Sequence, residues 1–287
     1  MSTTLDTTLY ASNSTDAMFR AWASFIHSVF ALGLTNTADT GQINLATVTK
    51  PSVASASQGY KMYRTNDGLT NVYIKCEFGC TSNVLYPSLW ITIGTGTDGA
   101  GTINGTVLMA RTQLYTGASD TTNQHLCFGS AANNRVCFGM FLSVTSTTAF
   151  WFSLERRKTS ALADADTGII IDSGRGSAGH MSLCAPFTGV IPTPETGLQF
   201  ILTTNNPGVY GNTIPEALRI PCLGPSEPPG LNVAICNVND YGAFAEVTIN
   251  INGVNRAYKH CGANINSLRG MSTGVGDANT RLMLRYE

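Results

Sequence analysis

The sequence predicts a mainly β protein: an antiparallel β-sandwich, jelly-roll-like, with one N-terminal amphipathic α-helix. Three observations lead there. One segment near the start carries apolar residues at helical period. After it the period changes to two, in many short runs set apart by Gly, Asn, Asp and Pro. Only 12% of the residues are charged while 43% are hydrophobic, against a usual charged share of about 25%. The polar surface must therefore be built from Ser, Thr, Asn and Gly.

The helix comes first. From Asp16 to Leu32, apolar residues fall at Met18, Trp22, Phe25, Ile26, Val29 and Phe30, which is one stripe of a helix. Arg20, Ser24, His27 and Ser28 fill the other side. Ser14 or Thr15 offers an N-cap, Asp16 suits the positive end of the helix dipole, and Gly33 is placed to stop the helix at C′. A stripe so rich in large aromatics must dock. Its own domain and a neighbouring subunit are both open as partners. The second would make residues 1–50 an arm with a docking helix and the stripe an interface.

Strands follow over Gln42–Val48, Tyr60–Arg64, Val72–Phe78, Leu89–Gly94, Val107–Leu114, His125–Ser130, Arg135–Ser143 and Ala149–Glu155. More are expected over Gly168–Ile171, His180–Phe187, Gln199–Thr203, Leu218–Pro221, Ala243–Ile251, Asn255–Tyr258 and Arg281–Tyr286. Asn66-Asp67-Gly68, Asp98-Gly99, Asn104-Gly105 and Asn252-Gly253 supply turns. Asn252-Gly253, between two alternating runs, is the strongest hairpin signal. Residues 51–287 then form the sandwich domain. Gly- and Pro-rich loops at 173–179 and 224–230 offer a subdivision near 173–230.

Composition narrows function. Seventeen basic and 18 acidic residues give a net charge of −1, so the basic excess that phosphate binding draws on is lacking and no nucleic-acid partner is expected. No apolar run approaches the roughly 18 residues of a spanning helix, so no membrane insertion is expected. The start, Met1 to Asp6, has neither a basic nor an apolar region of a secretion signal, and a cytosolic origin is expected. The eight cysteines include no CxxC pair. Cys76 and Cys80 on one strand would stand about 13 Å apart, beyond disulfide reach. They read as small buried hydrophobes.

The chemical motifs are weak. Gly94-Thr95-Gly96-Thr97-Asp98-Gly99 matches GxGxxG after a strand, yet no helix pattern follows to face a pyrophosphate. It reads as a Gly-rich β-loop. Asp164-Ala165-Asp166 starts like a calcium loop, but the position of the bidentate Glu is Arg175. The four histidines are scattered, with His260-Cys261 the one close pair, and no GxSxG occurs. No catalytic residue, cofactor or metal is expected. Glu155-Arg156-Arg157-Lys158 is the densest charge run and reads as a solvated strand end, or as an edge facing a neighbour or an anionic glycan.

Several blocks carry a resemblance. They are Phe19-Arg20-Ala21-Trp22, Gly33-Leu34, Asp39-Thr40-Gly41-Gln42-Ile43 and Gly59-Tyr60-Lys61-Met62-Tyr63-Arg64-Thr65-Asn66-Asp67. Ile74-Lys75 and the run from Pro87 to Gly101 continue it, and Ser153-Leu154-Glu155-Arg156 and Leu284-Arg285-Tyr286-Glu287 extend it sparsely. Together they resemble virion structural proteins of tailed bacteriophages, of the kind encoded among tail and baseplate genes. The match is dense over residues 16–105. The resemblance implies a structural part of the tail tip, baseplate or fibre, made in the bacterial cytoplasm and resident in the virion. It implies other virion proteins as partners and a homo-oligomer, trimeric or hexameric by phage symmetry. A host-receptor or glycan-binding module and a capsid decoration protein are the alternatives. It implies no catalytic residues.

Overall fold

Among its described residues the computed structural model contains one helix and three antiparallel sheets. It describes residues 3–116, 119–142, 149–175, 179–188, 230–236, 244–251, 254–261 and 281–287. In chain order the elements begin β1 (Thr4–Leu9), α1 (Asp16–Ala31), β2 (Thr35–Asn36), β3 (Ser57–Arg64), β4 (Tyr73–Cys80), β5 (Pro87–Thr97) and β6 (Ile103–Tyr115). They continue β7 (His125–Ala132), β8 (Arg135–Leu142), β9 (Ala149–Lys158), β10 (Asp164–Arg175) and β11 (Gly179–Pro186). The last are β12 (Val233–Cys236), β13 (Glu246–Ile251), β14 (Val254–His260) and β15 (Arg281–Arg285).

Five strands run β2-β3-β4-β5-β6, six run β1-β7-β8-β9-β10-β11, and four run β12-β15-β14-β13. The six-stranded sheet is the middle layer. Val136, Phe138, Met140, Phe150, Phe152 and Leu154 pack with α1 and the five-stranded sheet. Phe128, Cys137, Phe141 and Trp151, at the alternate positions, pack with Val233, Leu282 and Leu284 of the four-stranded sheet. Successive side chains of a strand point to opposite faces. A strand covered on both faces therefore reads as an unbroken apolar run, as in Val136–Leu142 and Ala149–Phe152.

The antiparallel β-sandwich with one N-terminal helix is thus present, with a third layer added. Its connectivity is meandering: neighbours in each large sheet are mostly neighbours in sequence, rather than alternating between sheets as in a jelly roll. Gln42–Val48 is not a strand. Asn44 Oδ1 accepts from the Ala46 N–H, and the Thr47 and Val48 N–H groups bond back to the Asn44 carbonyl, so the chain turns there. Residues 173–175 lie in strand β10, whose end Arg175 pairs with Gly179, so no domain boundary falls there. Gln199–Thr203 and Leu218–Pro221 lie outside the described residues. β13 and β14 pair up to Ile251↔Val254, as the Asn252-Gly253 signal predicts.

Thr15 caps α1, its hydroxyl accepting from the Met18 N–H at 3.1 Å. Gly33 does not take the left-handed C′ conformation; the last turn tightens instead, with the Leu32 N–H bonding to the Val29 carbonyl at 3.2 Å and the Gly33 N–H to the Phe30 carbonyl at 3.4 Å. Gly33 is needed for another reason. A Cβ there would stand 2.5 Å from the Ala132 backbone. Gly33→Ala is expected to destabilise by about 1–3 kcal/mol through overpacking against unyielding main chain, read as a lowered chemical-denaturation midpoint.

Candidate functional site

The aromatic stripe lies inside the molecule. Trp22, Ile26, Val29 and Phe30 are fully buried, Phe25 nearly so, and Met18 half-buried. Phe30 stacks on Tyr63 with ring centres 4.6 Å apart, and Trp22 lies 5.8 Å from Phe78. The Trp22 indole N–H donates to Asn13 Oδ1 at 3.0 Å. Gly129 of β7 lets the helix close in, since a Cβ there would meet Val29 at 2.6 Å. The interface assignment of this stripe is therefore corrected. The five- and six-stranded sheets each turn an apolar face inward, and α1 fills the space between them. For the same reason a boundary at residue 50 would cut through one core.

The charge run is corrected too. Glu155, Arg156 and Lys158 are buried and Arg157 is half-buried. The run continues β9, and β9 is covered on both faces. Arg156 forms a bidentate pair with Asp67, both contacts 2.8 Å, and also donates to Thr65 Oγ1 and the Thr70 carbonyl. It thereby ties the middle sheet to the β3–β4 turn. On the opposite face, Glu155 Oε1 accepts the Leu231 and Asn232 N–H groups at 2.7 Å each, which anchors the start of β12.

Two blocks far apart in sequence meet near Asp39. Its carboxylate accepts from Thr37, Thr97 and the Gly101 N–H. Burial pushes the Asp39 carboxyl up, but these hydrogen bonds outweigh it and leave it below its ordinary value. The Thr40 N–H bonds to the Gly99 carbonyl, and the Tyr60 hydroxyl to the Thr40 carbonyl. The GxGxxG segment is thus the β5–β6 end, pinned by Asp39. At the far end of the chain, the Glu287 carbonyl accepts from Arg135, and its carboxylate from Arg285 at 2.8 Å. Lys259 bridges Asp6 and Glu246.

Apart from the Asp39 cluster, which lies within the five-stranded sheet, these are ties between layers. Among the described residues no group of three or more metal-ligating side chains forms, and Cys76, Cys80, Cys127 and Cys137 are buried free thiols. Sequence reasoning missed Asp67 and Asp39 as partners. The signal available was a run of apolar residues at both parities leading into the charges of β9. Such a strand is buried on both faces, and its charges need partners.

One buried histidine carries a pH dependence. His125 is buried with Nδ1 unpartnered. Burial pushes its pKa down from 6.5 to about 4, against an opposing pull from Asp120. Between those values the unfolded chain binds the proton and the folded chain does not. Stability is therefore expected to fall as pH drops from 6.5 towards 4, by about 3 kcal/mol at most. Thermal melts across that range should show the loss, and His125→Gln should flatten it.

Comparison of the chain with protein-family models, with curated proteins and with solved structures finds no match.

Proposed function

We propose that the chain is a structural component of a tailed-bacteriophage virion, in the tail tip, baseplate or fibre region, acting by protein–protein packing. The observation that carries this reading is the placement of charge. The chain has 17 basic and 18 acidic residues, and Asp39, Arg135, Glu155, Arg156, Lys158, Asp172 and Lys259 are buried. At most 28 of the 35 charged residues are therefore left to the exterior, which keeps the low charge of the sequence. A near-neutral surface of low charge favours association, which suits a part whose surface neighbours cover. The residues of the phage resemblance fit the same reading, since Phe19, Trp22, Asp67, Arg156 and Glu287 hold the layers together and Asp39 pins the end of the five-stranded sheet.

Its partners would be copies of itself, as trimer or hexamer, and other virion proteins. The edge strands β1 and β6 offer main-chain groups for strand addition. The packing reading is favoured over a glycan-binding one. Two aromatic faces of the five-stranded sheet on which a sugar could stack are covered by cations: Arg111 lies 4.4 Å over Trp90 and Lys75 4.9 Å over Tyr60.

The test is the composition of gradient-purified particles of the phage that encodes the chain. Mass spectrometry should find it at fixed copy number, and gold-labelled antibody should mark the tail. Particles that contain their capsid protein but lack this chain would overturn the proposal. A label on the head would move the chain to the decoration reading.

A further inference from the structure

Lys158, the last residue of β9, pairs across the hairpin with Asp164, the first of β10. Its Nζ lies 2.5 Å from Asp164 Oδ1 and 3.4 Å from Glu155 Oε2. The amine is sheltered: its side chain is 5% exposed and that of Glu155 is 1% exposed. Glu155 Oε1 is fixed by two N–H groups, while Oε2 is buried with no hydrogen-bond partner. Asn134 Nδ2 holds Asp164 Oδ2. An amine, a carboxyl group in contact with it and a second carboxyl touching the same amine are the parts that amide condensation needs.

We propose that Lys158 and Asp164 condense into an intramolecular isopeptide bond, with Glu155 carrying the proton. Lys158 Nζ passes one proton to Glu155 Oε2 and attacks Asp164 Cγ. The N–C bond forms as the C=O pair moves onto oxygen. Glu155 returns that proton, and relays a second from nitrogen, to Oδ1. Oδ1 leaves as water as its C–O bond breaks, and Oδ2, held by Asn134, remains as the amide oxygen. One ammonium and one carboxylate become one amide and one water. Glu155 ends as it began, and nothing is oxidised or reduced.

Two features support the step. Fixing the reacting groups in contact raises their effective concentration to about 10⁵–10⁸ M. Among the described residues the other buried lysine sets the contrast: Lys259 meets Asp6 and Glu246, whose side chains are 49% and 60% exposed, against 27% for Asp164 and 1% for Glu155. The position is also apt. The β9–β10 ladder shifts register between Asp164 and Ile169. Beyond that irregularity the turn holds Leu162 at φ 62, a left-handed conformation that costs energy for a residue with a Cβ. A covalent tie at 158–164 would clamp this strained end.

The test is the intact mass of the purified full chain after prolonged incubation at neutral pH, followed by tandem fragmentation. The expected mass is one water below the sequence mass, with fragments joined through Lys158 and Asp164. Lys158→Arg keeps the charge but not the nucleophile, and Glu155→Gln keeps the Oε1 acceptor but not the shuttle. Both should restore the full mass. A wild-type chain at its full sequence mass overturns the proposal whether or not the variants fold. So does a water loss that persists in Lys158→Arg, which would mark a succinimide elsewhere. A link that still forms fully in Glu155→Gln overturns the shuttle.

Discussion

Asp67→Ala is expected to lower the unfolding free energy by about 3–5 kcal/mol, because it leaves a buried guanidinium without its partner. Arg156 has no exposed side-chain surface, and both of its short charged contacts go to Asp67. Asp166 stands 3.9 Å away and is 43% exposed, too far and too wet to take over. Urea denaturation should show the loss as a lower midpoint at unchanged slope. Replacing both partners with apolar residues should cost much less. A buried pair gains little over a well-packed apolar substitute, whereas a buried lone charge is strongly destabilising. If Asp67→Ala alone costs under about 1 kcal/mol, the value of an exposed pair, the tie between the middle sheet and the β3–β4 turn is not structural.

Trp22→Ala is expected to cost a further, independent 3–5 kcal/mol or about that. Trp22 is fully buried between Phe19 at 5.4 Å and Phe78 at 5.8 Å, and its removal leaves both a cavity and Asn13 Oδ1 without its indole donor. The isolated chain should show the whole effect in a thermal melt. If the stripe served a neighbouring subunit instead, the isolated chain would be indifferent and only assembled particles would suffer. The two sites share no partner, so the double variant should be close to additive.

These two positions also mark what was legible in the sequence. The helix was: the spacing from Met18 to Phe30, Thr15 and Asp16 fix its limits, because periodicity and capping are local properties. Most hairpin strands were legible for the same reason, with Asn-Gly and Asp-Gly turns between alternating runs. What lay on the far side of each apolar face was not. Trp22 shows that it must be covered, not by what. Arg156 shows a charge at the end of a strand, and only the position of the third layer and of Asp67 reveals that no water reaches it. β1 was missed because Thr-Thr-Leu-Asp-Thr-Thr-Leu carries little apolar signal. Its strand conformation comes from pairing with β7. Asp39 was legible as part of a resemblance, but its partners Thr97 and Gly101 arrive through tertiary contact alone.

The pairing of β1 with β7 sets an order on folding. Thr4 lies opposite Ser130, and α1, directly after β1, is covered by strands up to β9. On the ribosome the aromatic face of α1 emerges long before the residues that will cover it. Contacts this far apart in sequence make folding slow and leave apolar surface exposed meanwhile. A holding chaperone is therefore expected to raise the yield of folded chain, and that yield should depend on translation speed between α1 and β9 as much as on the stability of the finished fold.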